Sequence, residues 1–429
     1  MKTIVLGGGL AGLMVASELR DETIVLEKQK AVGGLCRSFE HDGIQCDIGP
    51  HILFSKNKEA LDRLLRCTGT DQIKRSNQIL HHGKRVKYPF ENDLAALPED
   101  EREYCLQEFL NNPYAGYRAD TMLQFFLKTF GEGITRLYLQ PYNEKIWKYD
   151  PSFMDTQMVD RIPKPPAEDI IKSARGEKTE GYVHQLFFNY PKNGGIQSVV
   201  EGCLNGTEGR VQVQTGVEVI GVHGKQGAWE IETSAGLVRG ERLINAMPVH
   251  EFGKCLTLPD AVRTALDALM YNSIHVIALS VRKENMGDNF AYFIADKDVI
   301  FHRISKMDFL GPAYRRVDGG STILCEITFR PGSWLAGFSQ DAIVERVVSD
   351  LGKIGIAEKQ DVISTSLWTE KYAYVVYDLD HAANKKLVSD HLSGLGIGSC
   401  GRFAEFEYYN MDRVTENAMA LARKYNTGA

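Results

Sequence analysis

Three glycines, Gly7, Gly9 and Gly12, stand in the spacing G-x-G-x-x-G between two short apolar runs, residues 3–6 and 23–26, with a helical stretch over 13–20. A strand, a glycine turn and a helix in this order predict a βαβ unit at the N-terminus. Gly7 serves the tight turn, Gly9 lets backbone approach a pyrophosphate, and Gly12 lets helix pack on strand. The helix opens with N–H groups that favour an anion, which makes Leu10 and Ala11 candidate contacts as well. Glu27 closes the second strand twenty residues after Gly7, placed to accept hydrogen bonds from the adenosine ribose hydroxyls, with Lys28 beside it. A carboxylate there disfavours a 2′-phosphate, so the dinucleotide is FAD or NAD rather than NADP.

The chain has 429 residues, enough for two or three domains. Hydrophobic residues make up 43% and charged residues 25%, which excludes a disordered or collagen-like chain. With 50 Lys+Arg against 56 Asp+Glu and no basic block, the footprint that nucleic-acid binding requires is missing. Eight scattered cysteines show neither C-x-x-C nor zinc-ligand spacing, so no metal site is expected and reduced thiols in the cytoplasm fit best. The run over 3–16 is broken by a glycine turn and is not read as a signal peptide. No run reaches the roughly 18 apolar residues of a membrane-spanning helix.

Helix-forming segments over 98–109 and 122–139 predict a helical insertion over 94–179, proline-bearing around 161–166. Short alternating runs over 211–243 look like a hairpin-rich patch, and 274–329 alternates like antiparallel strands. A glycine-rich strand and turn over 394–401 precedes a helix over 412–425. The fold class expected is mixed α/β (α+β): a discontinuous Rossmann-like FAD-binding domain from 1–78, 194–252 and 386–429, the helical insertion, and an antiparallel-sheet substrate domain from 79–93, 180–193 and 253–385.

Downstream of Glu27 comes Val32-Gly33-Gly34-Leu35-Cys36-Arg37-Ser38. This stretch resembles the second flavin signature of the glutathione-reductase-type FAD proteins, which include amine oxidases, phytoene desaturases, protoporphyrinogen oxidase and UDP-galactopyranose mutase. Gly34 and Leu35 then lie against the cofactor, and Arg37 offsets pyrophosphate charge. Gly49-Pro50-His51-Ile52-Leu53-Phe54 is similar to the mutase loop whose histidine lies against the flavin. Four further stretches resemble the mutases: Lys87-Tyr88-Pro89-Phe90-Glu91-Asn92; Pro141-Tyr142-Asn143-Glu144-Lys145-Ile146-Trp147 followed by Arg161; Tyr292-Phe293 with Arg303; and Tyr374-Val375-Val376-Tyr377-Asp378 with Gly401-Arg402-Phe403-Ala404-Glu405-Phe406-Glu407-Tyr408-Tyr409-Asn410-Met411-Asp412.

The resemblance implies a flavin-dependent mutase that interconverts pyranose and furanose forms of an NDP-sugar, UDP-linked, with FAD active in its reduced form. Reduced flavin N5 attacks the anomeric carbon, the diphosphate leaves, and the sugar recloses after ring opening; His51, Arg161 and Arg303 are then the catalytic residues. Tyr88, Glu91, Tyr142, Asn143, Trp147, Tyr292, Tyr374, Tyr408 and Asn410 join the two arginines as substrate contacts. Val219, Gly401, Arg402 and Met411 join the N-terminal residues and His51 around FAD. It further implies an electron donor, NAD(P)H or a flavin reductase, and a role in cell-surface polysaccharide biosynthesis; an oligomer is left open. Two guanidinium forks bracing a diphosphate, with tyrosine hydroxyls donating, make chemical sense of these residue types.

Departures leave the substrate open. Glu91 stands where the mutases have glutamine, and a carboxylate accepts hydrogen bonds but does not donate them. Asn410, Val375 and Tyr377 also differ from the mutase motifs, and galactose, N-acetylgalactosamine, arabinose and fucose all have furanose forms. The alternative is an FAD oxidoreductase of the amine oxidase, protoporphyrinogen oxidase or desaturase type, which predicts an apolar tunnel and turnover without a reductant. A flavoprotein acting only as a binding module is a third reading.

Overall fold

The computed structural model describes residues 1–162, 164–179 and 186–427, with the backbone alone for Asp160 and Arg161. The strand Lys2–Leu6 is buried from Thr3 onward because it runs through the centre of a five-stranded parallel sheet. Glu22–Glu27 and Val211–Thr215 lie to one side, and Arg242–Asn245 and Gly398–Ser399 to the other, all parallel. Both faces of such a sheet are covered, which is why its inner strands read as continuous apolar runs rather than alternating ones. The helix Leu10–Glu18 lies against the terminal helix Met411–Asn426 on one face.

The stretch over 211–243 is only partly the expected hairpin patch. Val219–Lys225, Ala228–Thr233 and Gly236–Gly240 form a three-stranded antiparallel sheet, but Val211–Thr215 before it and Arg242–Asn245 after it belong to the parallel sheet. Val211–Thr215 is an edge strand and half-exposed, so its sequence alternates as a hairpin strand would.

A seven-stranded sheet faces this layer, in the order Val362–Val375, Tyr271–Val281, Ser321–Phe329, Arg303–Lys306, Ala291–Ile294, Asn77–His81 and Lys84–Lys87. Its pairings are antiparallel except where Ala291–Ile294 runs parallel to Asn77–His81. Tyr271–Val281 is buried along nearly its whole length because both its faces are covered. Ile277, Leu279 and Val281 pack with Ile343, Val347 and Leu351 of the helix Gln340–Lys353, and Ile274, Val276 and Ala278 pack with Phe39, Phe188 and Tyr190.

The helical layer holds Glu99–Leu110, Met122–Ile134 and Gln140–Trp147. Thr121 and Gln124 cap the second helix reciprocally. The sequence predicts one helix over 122–139, but Gly131 leaves helical geometry, and Thr135–Leu139 widens into a π turn ahead of Pro141, whose missing N–H cannot continue the ladder. Among the described residues no helix is long and apolar enough to cross a membrane.

Candidate functional site

A cleft of about 880 Å³ runs from the carboxyl ends of the parallel strands across to the seven-stranded sheet, where dinucleotides bind in open α/β sheets. At its first end Gly7 holds φ +104°, and a Cβ there would lie 2.9 Å from the Met247 nitrogen. A Cβ on Gly12 would fall 2.0 Å from the Gly7 carbonyl oxygen, so Gly12 sets helix against strand while Gly9, Leu10 and Ala11 line the cleft. Glu27 is fixed by two backbone donors, Gly8 N–H at 2.8 Å and Gln29 N–H at 2.7 Å. Lys28 beside it pairs with Glu218 at 2.6 Å, next to Val219, and all three line the same end.

The middle of the cleft is ringed by Gly34, Leu35, Arg37, His51, Gly401, Arg402, Asn410 and Met411. Arg37 donates from Nε to the Gly34 carbonyl at 3.0 Å and pairs with Glu370 at 2.5 Å. Burial raises the Glu370 carboxyl, and Arg37 pulls it back only in part. Arg402 is held by the Tyr409 and Ala373 carbonyls at 2.8 and 3.0 Å, with its guanidinium 4.4 Å from the centre of the Tyr408 ring. Asn410 caps the terminal helix, so that helix points its positive end at the cleft.

His51 opens onto the cleft while its Nδ1 is shut off from solvent without a hydrogen-bond partner among the described residues. Burial, reinforced by Arg402 and Arg303, pushes its pKa down to about 3, so the imidazole is neutral at working pH. Asp47 just upstream is also buried; its pKa rises to about 6 although Ile196 N–H, the Tyr190 hydroxyl and Ser38 all donate to it.

A second chamber of about 250 Å³ adjoins the cleft and shares Arg303, Tyr374 and Tyr408 with it. Tyr88, Tyr142, Asn143, Trp147 and His302 complete its polar lining. Tyr374 and Tyr408 stack at 5.7 Å, and Trp147 meets both edge-on at 5.9 and 5.6 Å. Trp147 donates to the Asn143 side-chain oxygen at 2.9 Å, which in turn fixes the amide. Burial raises the Tyr374 and Tyr142 hydroxyls well above their ordinary range, so both stay protonated donors.

Arg303 is gripped by both oxygens of Glu326, each at 2.5 Å, in a bidentate pair across adjacent strands. Burial opposes its charge, but Glu326, with Tyr374 and Tyr142, holds the guanidinium above its ordinary pKa. Glu326 escaped the sequence reading although a signal was present: it is the one charged residue in the otherwise neutral strand Ser321–Phe329.

Two expected contacts fall elsewhere. Tyr292 is fully buried on the far face of the sheet, its hydroxyl 3.2 Å from the Met286 carbonyl. Side chains alternate along a strand, so Phe293, register partner of Arg303, faces the cleft instead and meets the Tyr88 ring at 5.0 Å. Glu91 lines neither cavity; the turn Phe90–Asn92 carries it inward, and the Ser173 hydroxyl donates to its carbonyl at 2.8 Å. Its pKa rises to about 8 through burial, so at neutral pH it is a neutral acid that donates as glutamine would. The side chain of Arg161 lies outside the described residues. His302, missed from sequence, is buried in the chamber wall with no hydrogen-bond partner for its Nδ1 among the described residues, and is kept neutral by burial, Arg303, Lys145 and Lys148. Tyr292→Phe is expected to leave turnover within about twofold of the parent while lowering unfolding free energy by about 1 kcal/mol, read by steady-state assay and urea titration.

A glycine-rich turn entering a helix, a carboxylate held at the end of the second strand and a long cleft over the strand ends define a dinucleotide-binding α/β flavoprotein, with FAD as the cofactor. Residues 10–393 match the family of flavin containing amine oxidoreductases, and the chain belongs to that family. Among solved structures, reduced UDP-galactopyranose mutase superposes with a TM-score of 0.90 at 21% identity, covering 100% of this chain and 94% of that one. A protoporphyrinogen oxidase-like protein from Exiguobacterium sp. 255-15 gives 0.78 at 16% identity over 100% and 99%. A protein encoded in the nifH2 3′ region of Methanothermococcus thermolithotrophicus is 50% identical over 68 residues, 15% of this chain and 66% of that protein. Phytoene desaturase of Cercospora nicotianae is 25% identical over 185 residues, 37% of this chain and 29% of the desaturase. The chain thus spans under two thirds of the length of these curated relatives. The glycine cradle, the held Glu27 carboxylate and the orphaned His51 nitrogen fit FAD.

Proposed function

We propose that this flavoenzyme interconverts the pyranose and furanose forms of a nucleoside-diphosphate sugar. The observation that carries this reading is the second chamber: it joins the cofactor cleft at an arginine and two tyrosines and is walled by further tyrosines, a tryptophan, a histidine and an asparagine beside Met122, Ile146, Met158 and Ile162. A polyene substrate calls for an apolar tunnel, whereas the arginine, tyrosine hydroxyls and asparagine set among these apolar residues suit a polar, aromatic-stacking, anionic ligand. When bound and reduced, FAD supplies the nucleophile for the anomeric carbon, so the chain needs no nucleophilic side chain.

The residues divide the work. Arg303, pre-oriented by Glu326, presents its remaining N–H donors to the diphosphate as negative charge builds on the leaving group. Tyr374 and Tyr142, locked in the protonated form, donate to phosphate or sugar oxygens. Trp147 and Tyr408 set aromatic faces across the chamber and exclude water from the reacting carbon. Neutral His51 can exchange a hydrogen bond at the cofactor without adding charge. Arg161 is proposed as the second diphosphate cation, UDP as the nucleotide and an NAD(P)H or flavin-reductase donor as the source of electrons.

Under anaerobic conditions the dithionite-reduced holoenzyme is expected to convert UDP-galactopyranose, UDP-arabinopyranose or another NDP-hexose into a new furanose peak on ion-pair chromatography, and the oxidised enzyme is not. The second reading, an oxidoreductase that takes hydride from its substrate, is favoured by the amine oxidoreductase family itself. It predicts bleaching of the oxidised flavin by an amine or porphyrinogen with no furanose product, an outcome that would sink the mutase reading.

A further inference from the structure

Away from the cleft, the tip of the hairpin Asn77–His81 and Lys84–Lys87 meets the first turn of the helix Glu99–Leu110. His81 Nε2 lies 2.8 Å from one oxygen of Glu101, and His82 Nδ1 lies 3.3 Å from the other. His82 takes the left-handed conformation of the two-residue turn, at φ +46°, which lays its ring against His81 at 4.2 Å and 22°. The three donor atoms all lie within 4.8 Å of one another.

We propose that His81, His82 and Glu101 form a binding site for a divalent transition ion of the zinc, cobalt or nickel class. Two imidazole nitrogens and one carboxylate are the donor set of three-ligand zinc sites, and bonds of about 2.0–2.2 Å around a tetrahedral centre place ligand atoms about 3.3 Å apart. The His82 separation already matches that edge length, the His81 nitrogen and its carboxylate oxygen have to part from 2.8 Å to reach it, and His82, whose side chain is 64% exposed, can swing. Two nitrogen donors select against magnesium and calcium, which take oxygen shells. The site is prepared on one side and open on the other. His81 is buried and meets the Phe90 ring edge-on at 5.4 Å. Solvent access past His82 leaves a fourth position for water.

The ion would tie the edge of the seven-stranded sheet to the helical layer. Phe90, which His81 touches, belongs to the segment that carries Tyr88 into the substrate chamber, so the staple holds that wall from behind.

The test uses tag-free holoprotein titrated with Zn2+ by calorimetry and with Co2+ by the visible band of tetrahedral cobalt, read beyond flavin absorption, with Mg2+ as the control. His82→Ala and Glu101→Gln are the variants, because His82 is exposed and Glu101 keeps its shape as glutamine. One Zn2+ per chain is expected in the parent, a tetrahedral cobalt spectrum, and an affinity loss of at least tenfold in each variant with FAD content unchanged. No binding by the parent, a loss below tenfold in either variant, or an octahedral cobalt spectrum in the parent overturns the proposal. Binding at the scattered thiols, of which all but Cys255 are buried, would persist in both variants and is told apart in that way.

Discussion

Arg303→Ala is expected to lower kcat/KM by at least 10²–10³-fold, the loss of one charge-stabilising donor at a leaving group being worth about 3–4 kcal/mol. The same substitution is expected to destabilise the fold by about 3–5 kcal/mol, because Glu326 has no exposed surface and would keep a buried charge with no partner. A double variant, Arg303→Met with Glu326→Gln, removes both charges and is expected to regain most of the stability while staying inactive. Urea titration alongside the anaerobic chromatographic assay separates the two effects. Activity in Arg303→Ala within threefold of the parent would remove the arginine from the chemistry; a double variant no more stable than the single would show that the pair is not what holds these strands.

The second large effect is expected at Glu91. Its carboxyl titrates near pH 4.5 in the unfolded chain and near pH 8 in the folded one. The folded state therefore binds the proton more tightly, and stability falls as pH rises from about 4.5 through about 8, then levels off. Glu91→Gln lacks that proton. Its stability relative to the parent is expected to grow across this window by up to about 4 kcal/mol, at 1.36 kcal/mol per pH unit, whatever constant offset the amide brings. Denaturant midpoints measured at pH 5, 7 and 9 on both proteins check it, and parallel curves would place a compensating cation beside Glu91.

Which parts of this site were legible in the chain depends on how local the physics is. The turn around Gly7, Gly9 and Gly12 and the held Glu27 follow from a few residues of backbone sterics, and they stand where the spacing puts them. The same spacing recurs at Gly396, Gly398 and Gly401, yet only a two-residue strand and a turn form there, with no helix until Met411. Spacing without the strand and helix on either side is empty. Tyr292 and Phe293 show the opposite limit: both are aromatic and adjacent, and only the cross-strand partner decides which one faces the cleft. Glu326 and Glu370 were hidden because their meaning lies in distant arginines, whereas a charge in a neutral strand was there to be noticed. The break at Gly131 was hidden for a similar reason. A Cβ there would fall 2.4 Å from the Glu108 carbonyl oxygen, a clash set by the neighbouring helix and not by the helix it interrupts.

The parallel sheet draws its strands from residues 2–27, 211–215, 242–245 and 398–399, and the cleft it carries closes on Gly401 and Met411. During synthesis, then, the first strands leave the ribosome long before their last partner exists. The early glycine turn waits with its carboxylate and its loop but without the far wall, and complete enclosure of FAD has to follow synthesis of residues 398–411. Such distant pairings give a high contact order and slow folding, with apolar strand edges exposed in the interval. Limiting flavin during expression is therefore expected to lower the yield of soluble protein more than it lowers the activity of what survives.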